Sequence, residues 1–305
     1  MPLRHIAIPS RPLSTPLRYP TYALATRLQS KLQQDLLAWK ASPSEQRPAP
    51  PSPALISFTP APTYTLGRRQ TEPLSADELA RLHAPLHVSS SSTGSSFAFT
   101  PAVVHAPRGG LATYHGPGQI VLWPVVDLRS PVHTQFSVRD YTCLLEKTTI
   151  AVLRKLFGIN GFTTANPGVW VRPSLTGSES GDEKKISALG VHLRRHVTGL
   201  GVAINLSMPV AGLEVENPWA RIVACGLGDR GVTSVAAHLG PGAVPSGEKV
   251  AAAWAAEFAD RLGVGGDGER GIAVEEDSWE HWEREERING TGESEDYVEG
   301  RELRT

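Results

Sequence analysis

The chain has 305 residues, 40 % of them hydrophobic, enough for one large domain or two small ones, with no run of 18 apolar residues that could cross a membrane. Net charge is −1, but 14 acidic and 5 basic residues fall from Asp267 onward, so a body at +8 precedes a tail at −9. That mildly basic body suits an acidic partner better than nucleic acid alone, and two cysteines, Cys143 and Cys225, are too few for a disulfide framework.

The N-terminus carries several arginines and no acid before Asp35, a composition that fits a mitochondrial targeting segment and equally the first strand and helix of a domain. Leu24, Leu28, Leu32 and Leu36 recur every four residues and predict an amphipathic helix, stopped by the Pro/Ser-rich ASPSEQRPAPPSPA. ALISFTP and TYTLGRR predict strands, and VSSSSTGSSF reads as a polar low-complexity insertion. GQIVLWPVVDL predicts a buried strand interrupted by Pro124. A helix follows, with Ser137 as N-cap, Asp140 three residues on, Tyr141, Leu144, Leu145, Val152 and Leu156 at helical spacing, and a stop at Gly158–Gly161. GVWV predicts a further strand, and KISALGVHLRR and GLGVAINL predict two strands paired around a turn. SGEKVAAAWAAEFADRLG predicts a helix with Val250, Trp254, Phe258 and Leu262 on one face and Gly263 at its end. The organisation expected is a catalytic domain over 1–263, with loop insertions at about 41–53, 89–98 and 173–183, and an acidic, disordered tail over 264–305.

Some motifs mislead. GVGGDG (Gly263–Gly268) fits a dinucleotide fingerprint, but it follows a helix, whereas the fingerprint needs a strand before it and a helix after it. HGPG is an oxyanion-loop sequence of esterases, yet no G-x-S-x-G elbow exists to use it. No Cys/His spacing suggests a structural zinc site.

Three separated segments carry chemistry. RGGLATYHGPGQIVLWPVVDL (108–128) sets glycines beside a core strand, where a missing Cβ lets backbone approach a ligand closely. Such a flat wall suits an acyl chain or an extended peptide, with Arg108 binding an anion or holding the loop and His115 bonding a polar head group; a tight structural turn is the other reading. KKISALG (184–190) takes a lysine into an apolar strand, either solvated at the edge or held in a site as a usable base. In RIVACGLGDRGVTS, Cys225 stands before Gly226-Leu227-Gly228, either an accessible thiol with N–H donors nearby or a buried structural cysteine. Cys143, mid-helix with no glycine near it, reads as structural.

Taken together and in order, these blocks resemble the lipoyl(octanoyl) transferases from about Tyr22 to Leu262, and the R-G-G-x-x-T-Y-H-G-P-G-Q block is highly specific to that family. The resemblance implies an α+β fold like that of biotin and lipoate protein ligases, a mixed β-sheet flanked by helices. It implies Cys225 and Lys185, rather than Lys184, as catalytic residues. It implies an acyl pocket from Arg108, Gly109, Gly110, Leu111, Ala112, Thr113, Tyr114 and His115, with Ala188, Leu189, Gly190, Gly201, Val202 and Ala203. It implies octanoyl-acyl carrier protein as donor, and lipoyl domains of 2-oxoacid dehydrogenases and the glycine cleavage H protein as acceptors, in the mitochondrion. No cofactor, metal or nucleic acid is implied, since amide formation from a thioester needs no ATP. The chain departs from the family in having Val223-Ala224 where many members have Asn-Pro, and Leu200 where many have histidine. An ATP-dependent lipoate or biotin ligase and a non-catalytic binder of lipoyl domains are the alternatives.

Overall fold

The computed structural model describes residues 1–10, 17–43, 45, 47–89, 95–172, 183–222, 231–264, 274–277 and 296–303. The first half contains β1 (Leu3–Ala7), β2 (Arg18–Pro20), α1 (Tyr22–Ala41), β3 (Ala54–Phe58), β4 (Thr63–Leu66), α2 (Ala76–His83), β5 (Leu86–Ser89), β6 (Ser96–Phe99), β7 (Ala102–His105), β8 (Ala112–His115), β9 (Gln119–Val125) and α3 (Val138–Phe157). The second half contains β10 (Val169–Val171), β11 (Lys184–Arg194), β12 (Val197–Asn205), α4 (Val235–Leu239), α5 (Gly247–Leu262), β13 (Val274–Asp277), β14 (Tyr297–Glu299) and β15 (Arg301–Glu302). Seven strands form one mixed sheet in the order β10-β11-β12-β9-β3-β1-β13. β1 runs parallel to β3 and β13, and the other neighbours are antiparallel. A smaller sheet, β7-β4-β8, carries the glycine-rich block on its edge.

Strand periodicity divides the core in two. Along β9, Ile120 and Leu122 face α3 and α5, while Val121, Trp123 and Val125 face α1. α1 buries Leu24, Leu28, Leu32 and Leu36, the stripe expected from the sequence. Ser137 and Asp140 close a reciprocal capping box on α3, and Gly158 ends the helix in the left-handed conformation. α5 buries Val250, Trp254, Phe258 and Leu262 and likewise stops at a left-handed glycine, Gly263.

The structure departs from the sequence reading at three places. β9 continues through Pro124 instead of breaking there. The β9–β12 ladder is in register up to Leu122↔Val202. Proline has no N–H to offer the next pair, and here β12 puckers, with Leu200 at φ +61. Bonding resumes beyond it: the Thr198 hydroxyl donates to the Pro124 carbonyl at 2.9 Å and accepts from Val126 N at 3.0 Å. The polar insertion is narrower than expected, because Ser96–Phe99 pairs with β5 and buries Phe97 and Phe99 against Leu17; residues 90–94 lie outside the described residues. Finally, described parts of the segment expected to be disordered are strands. β13 extends the main sheet, β14 pairs with β2, and β15 pairs with β6.

Candidate active site

Lys185 sits near the start of β11 and is 7 % exposed, whereas its neighbour Lys184 points to solvent. The opposite environments follow from strand alternation. The Lys185 ammonium donates to the Pro167 carbonyl at 3.1 Å and lies 4.8 Å above the Trp170 ring. Trp170 is fixed in turn by donating its indole N–H to the Asn166 carbonyl at 2.9 Å. Glu146, buried on α3, accepts from Gly168 N at 2.9 Å. Burial raises the Glu146 carboxyl pKa, opposed by that N–H and by the charge of Lys185.

The backbone of Lys185 binds the chain that follows residue 230. Its N–H donates to Gly231 O at 3.0 Å, and its carbonyl accepts from Thr233 N at 2.9 Å. On the other shoulder of the interval, Arg221 is buried and donates to the carbonyls of Glu214, Ala84 and Pro85 at 2.6–2.8 Å. Cys225 itself lies in 223–230, outside the described residues. Cys143 is half-buried on α3.

Two cavities adjoin at Arg108, Leu189 and Gly190, and Lys185 lines the outer one. The outer one, ≈ 260 Å³, is lined by Lys185, Asn166, Pro167, Thr142, Arg69, Arg108, Gly109, Gly110, Leu189, Gly190 and Val191. The inner one, ≈ 40 Å³, is lined by Tyr22, Arg108, Thr113, His115, Trp123, Ala188–Gly190 and Leu200–Ala203. They share Arg108, Leu189 and Gly190, so together they trace one path from the lysine into the sheet. The two triplets expected in the acyl pocket are cross-strand partners: Ala188↔Ala203, Leu189↔Val202 and Gly190↔Gly201. A Cβ on Gly190 would stand 2.8 Å from Arg108 Cδ, and one on Gly201 2.2 Å from the Leu122 carbonyl oxygen, so neither position admits a side chain without movement.

Arg108 folds its own loop. It donates to the carbonyls of Gly109 and Leu111 at 2.9 Å, and to the carbonyl and hydroxyl of Thr65 at 2.6 and 2.7 Å. Its aliphatic stem walls both cavities. Thr113 and His115 of β8 face the inner cavity. Ala112 and Tyr114, on the alternate face, do not reach either cavity, nor does Leu111, which caps the Arg108 fold with its carbonyl. Tyr114 packs instead on Tyr64 and Trp219, and borders a third cavity of ≈ 290 Å³ with Met208 and Glu216 that does not touch Lys185.

His115 is wholly enclosed and stacks on Tyr22 at 5.8 Å. Its Nδ1 bonds Gln119 Oε1 at 2.8 Å; Gln119 Nε2 donates to Asn205 Oδ1, and Asn205 Nδ2 to the Thr233 carbonyl, each at 2.9 Å. Since Gln119 accepts, Nδ1 carries the proton and Nε2 is the open acceptor. Burial holds the His115 pKa down at about 4, with the Arg108 charge adding to the depression and the Gln119 bond opposing it. The relay therefore joins the inner cavity to the segment paired with Lys185. Glu146, Pro167, Trp170, Tyr22, Trp123 and Leu200 belong to this site and have no motif that announces them. The only sequence trace was Leu200, where the chain departs from the family.

Residues 28–259 match the family described as lipoyl protein ligase A/B catalytic domain. The probable octanoyltransferase of Schizosaccharomyces pombe is 38 % identical over 216 residues, 70 % of this chain and 80 % of that protein. The mitochondrial octanoyl-[acyl-carrier-protein]:protein N-octanoyltransferase LIPT2 of Danio rerio is 36 % identical over 58 % of this chain and 64 % of its own length. The mitochondrial octanoyltransferase of Saccharomyces cerevisiae is 29 % identical over 70 % of this chain and 61 % of its own length. Among solved structures, P. falciparum LipL1 in complex with lipoate superimposes with a TM-score of 0.53 at 12 % identity, over 90 % of this chain and 66 % of that one, which places the two in one fold.

Proposed function

The chain belongs to the lipoyl protein ligase A/B catalytic-domain family, on its octanoyltransferase side, and from that premise we propose that it moves octanoate from acyl carrier protein to a lysine of lipoyl domains through a thioester on Cys225. The observation that carries this reading is a buried lysine lining the outer of two adjoining apolar-walled cavities, with its backbone paired to the chain six residues beyond that cysteine. With its proton held on Lys185 Nζ as the ammonium, Cys225 reacts as the thiolate and attacks the octanoyl carbonyl carbon. The donor's sulfur leaves and takes that proton. The acceptor lysine amine then attacks the same carbonyl and passes a proton to Lys185, and the Cys225 thiolate leaves. The sum is thioester plus amine to amide plus thiol, with no nucleotide consumed. The octanoyl chain lies along the path past Arg108 toward His115, where each buried CH₂ contributes about 0.8 kcal/mol.

The acceptors in this reading are lipoyl domains of 2-oxoacid dehydrogenases and the glycine cleavage H protein, and the location is the mitochondrion. Incubation with octanoyl-acyl carrier protein and no acceptor should leave one octanoyl group on the protein. Peptide mapping should place it on Cys225, and hydroxylamine should remove it. A label on Cys143, or a Cys225→Ser variant that transfers at the wild-type rate, overturns the thioester. Pyrophosphate release with free octanoate would instead mark an ATP-dependent ligase. A tagged full-length chain found only in the cytosol would remove the mitochondrial assignment.

A further inference from the structure

Glu146 follows Thr142 by one turn of α3, so both lie on the same face of that helix. Thr142 lines the outer cavity, whereas Glu146 is buried and lines neither cavity. Glu146 Oε1 accepts from Gly168 N at 2.9 Å, and the Pro167 carbonyl accepts from Lys185 Nζ at 3.1 Å. That N–H and that carbonyl belong to one peptide group. A trans peptide turns the two to opposite sides, so Glu146 and Lys185 hold the same plane from its two edges. The order is carboxylate, N–H, C=O, ammonium, and in that order each bond polarises and strengthens the next.

This peptide is the loose point of its loop. Pro167 fixes its own φ but not its ψ, and Gly168 stands at φ +117, where only glycine sits without steric cost. Rotation about those two bonds would turn the plane over and swing the carbonyl off Lys185. The neighbouring backbone has ties of its own: the Asn166 carbonyl accepts from the Trp170 indole at 2.9 Å, and Phe162 and Trp170 exchange backbone bonds at 2.8 and 2.9 Å. A Cβ on Gly168 would stand 2.5 Å from the Ser187 carbonyl oxygen and 3.5 Å from Lys185 Cε, so the peptide lies against β11 beside the lysine stem. A glutamine at 146 would satisfy the Gly168 N–H without the cost of burying a charge, but its amide can serve either orientation of the peptide. A carboxylate only accepts, and it repels a carbonyl turned toward it.

We infer that Glu146 is a positioning residue: by accepting from Gly168 it locks the Pro167–Gly168 peptide with its carbonyl toward Lys185, and so seats the lysine amine at the cavity. This rests on the transferase reading above, in which Lys185 works with Cys225. Glu146 acts through the lysine and not on the substrate.

The test is a double-mutant cycle on single-turnover acylation by octanoyl-acyl carrier protein, with Glu146→Gln, Lys185→Met and the two combined. Glu146→Gln should lower the limiting rate about 10–100-fold, the scale of a catalytic group displaced by about 1 Å. The half-saturating donor concentration should stay within about twofold, because Glu146 lines neither cavity. In the Lys185→Met background the same change should cost less than about twofold, since the group it serves is gone. A residue that only supports the fold would lower both rates alike. Glu146→Asp, one methylene short of the Gly168 N–H, goes through the same cycle and should show the same coupling, so the result does not hang on how well one variant folds. A wild-type rate in either variant, or equal losses with and without Lys185, overturns the role of Glu146 alone. A Lys185→Met chain that is acylated at the wild-type rate overturns the reading on which it rests.

Discussion

Burial decides what His115 can do. Its pKa of about 4 keeps the ring neutral across the physiological range, so it serves as a fixed hydrogen-bond group and takes no part in titration near pH 7. The folded pKa lies below the unfolded value of 6.5, so the unfolded chain binds the extra proton first. The stability that His115 contributes is therefore complete above about pH 6.5 and is lost as pH falls toward 4. Between pH 7.5 and 5 that loss amounts to about 2 kcal/mol, and His115→Gln should flatten this part of the curve in denaturant titrations at the two pH values. Lys185 and Lys184 offer a cleaner contrast, since one is buried in the site and the other exposed. Lys185→Met should slow acyl transfer by about 10²–10⁴-fold while Lys184→Met leaves it within a few fold, and equal losses would remove Lys185 from its role. Leu200 carries strain and fills space at once. Leu200→Gly relieves a φ of +61 but deletes a buried side chain from the inner cavity, so stability should fall by a net of about 1–2 kcal/mol. The same change lengthens the acyl path, and the ratio of dodecanoyl to octanoyl transfer should rise.

At the scale of elements, the β11–β12 hairpin carries the most. Its strands supply the two facing triplets that line the inner cavity, and its base supplies Lys185. The pucker at Leu200 is set from outside the hairpin, by a proline in the neighbouring strand that cannot donate. The tip holds Arg195 and His196 in the left-handed region of backbone space. Replacing Arg195-His196 with Asn-Gly should stabilise the chain by about 1–2 kcal/mol, read as a higher Tm, because both residues then suit their left-handed backbone. A Tm that stays level or drops would mean that the side chains at 195 and 196 make contacts worth as much as the strain.

For the whole molecule, the sheet separates two tasks. One edge, β10 to β12, holds the lysine and the cavities; the other edge is closed by β13 from the acidic segment. There Arg4 bonds Asp277 at 2.5 Å, and buried His5 bridges Glu276 and Ser57 at 2.8 Å each. Arg27 pairs with Asp296 just before β14. Deleting residues 267–305 removes all three late strands and leaves Arg4, His5 and Arg27 without their acidic partners. The expected cost is about 2 kcal/mol and about 5 °C in Tm, with kcat nearly unchanged because β13 lies on the far edge of the main sheet, β14 and β15 belong to smaller sheets, and none of the three lines either cavity. Thermal unfolding and transfer assays on the truncated chain check both halves of this statement, and an unaltered Tm would return the segment to the status of a dispensable tail.

The amino-acid sequence by itself determined the helices α1, α3 and α5 and their buried faces, except at Leu156, expected on the α3 stripe but exposed, since leucine and aromatic spacing, the Ser137–Asp140 box and terminal glycines act locally. It determined the family through the block at 108–119 and pointed at Lys185 and the facing triplets. Only the tertiary structure decided that Lys185, not Lys184, is enclosed, because that depends on which face of β11 meets Trp170 and Pro167. Only it brought Tyr22 and Trp123 to the inner cavity, two residues about a hundred positions apart that meet across one face of the sheet. The described strands of the acidic segment went unannounced for the same reason: a strand as short and exposed as β13 has too little apolar pattern to show in sequence, and it forms because β1 offers it an open edge.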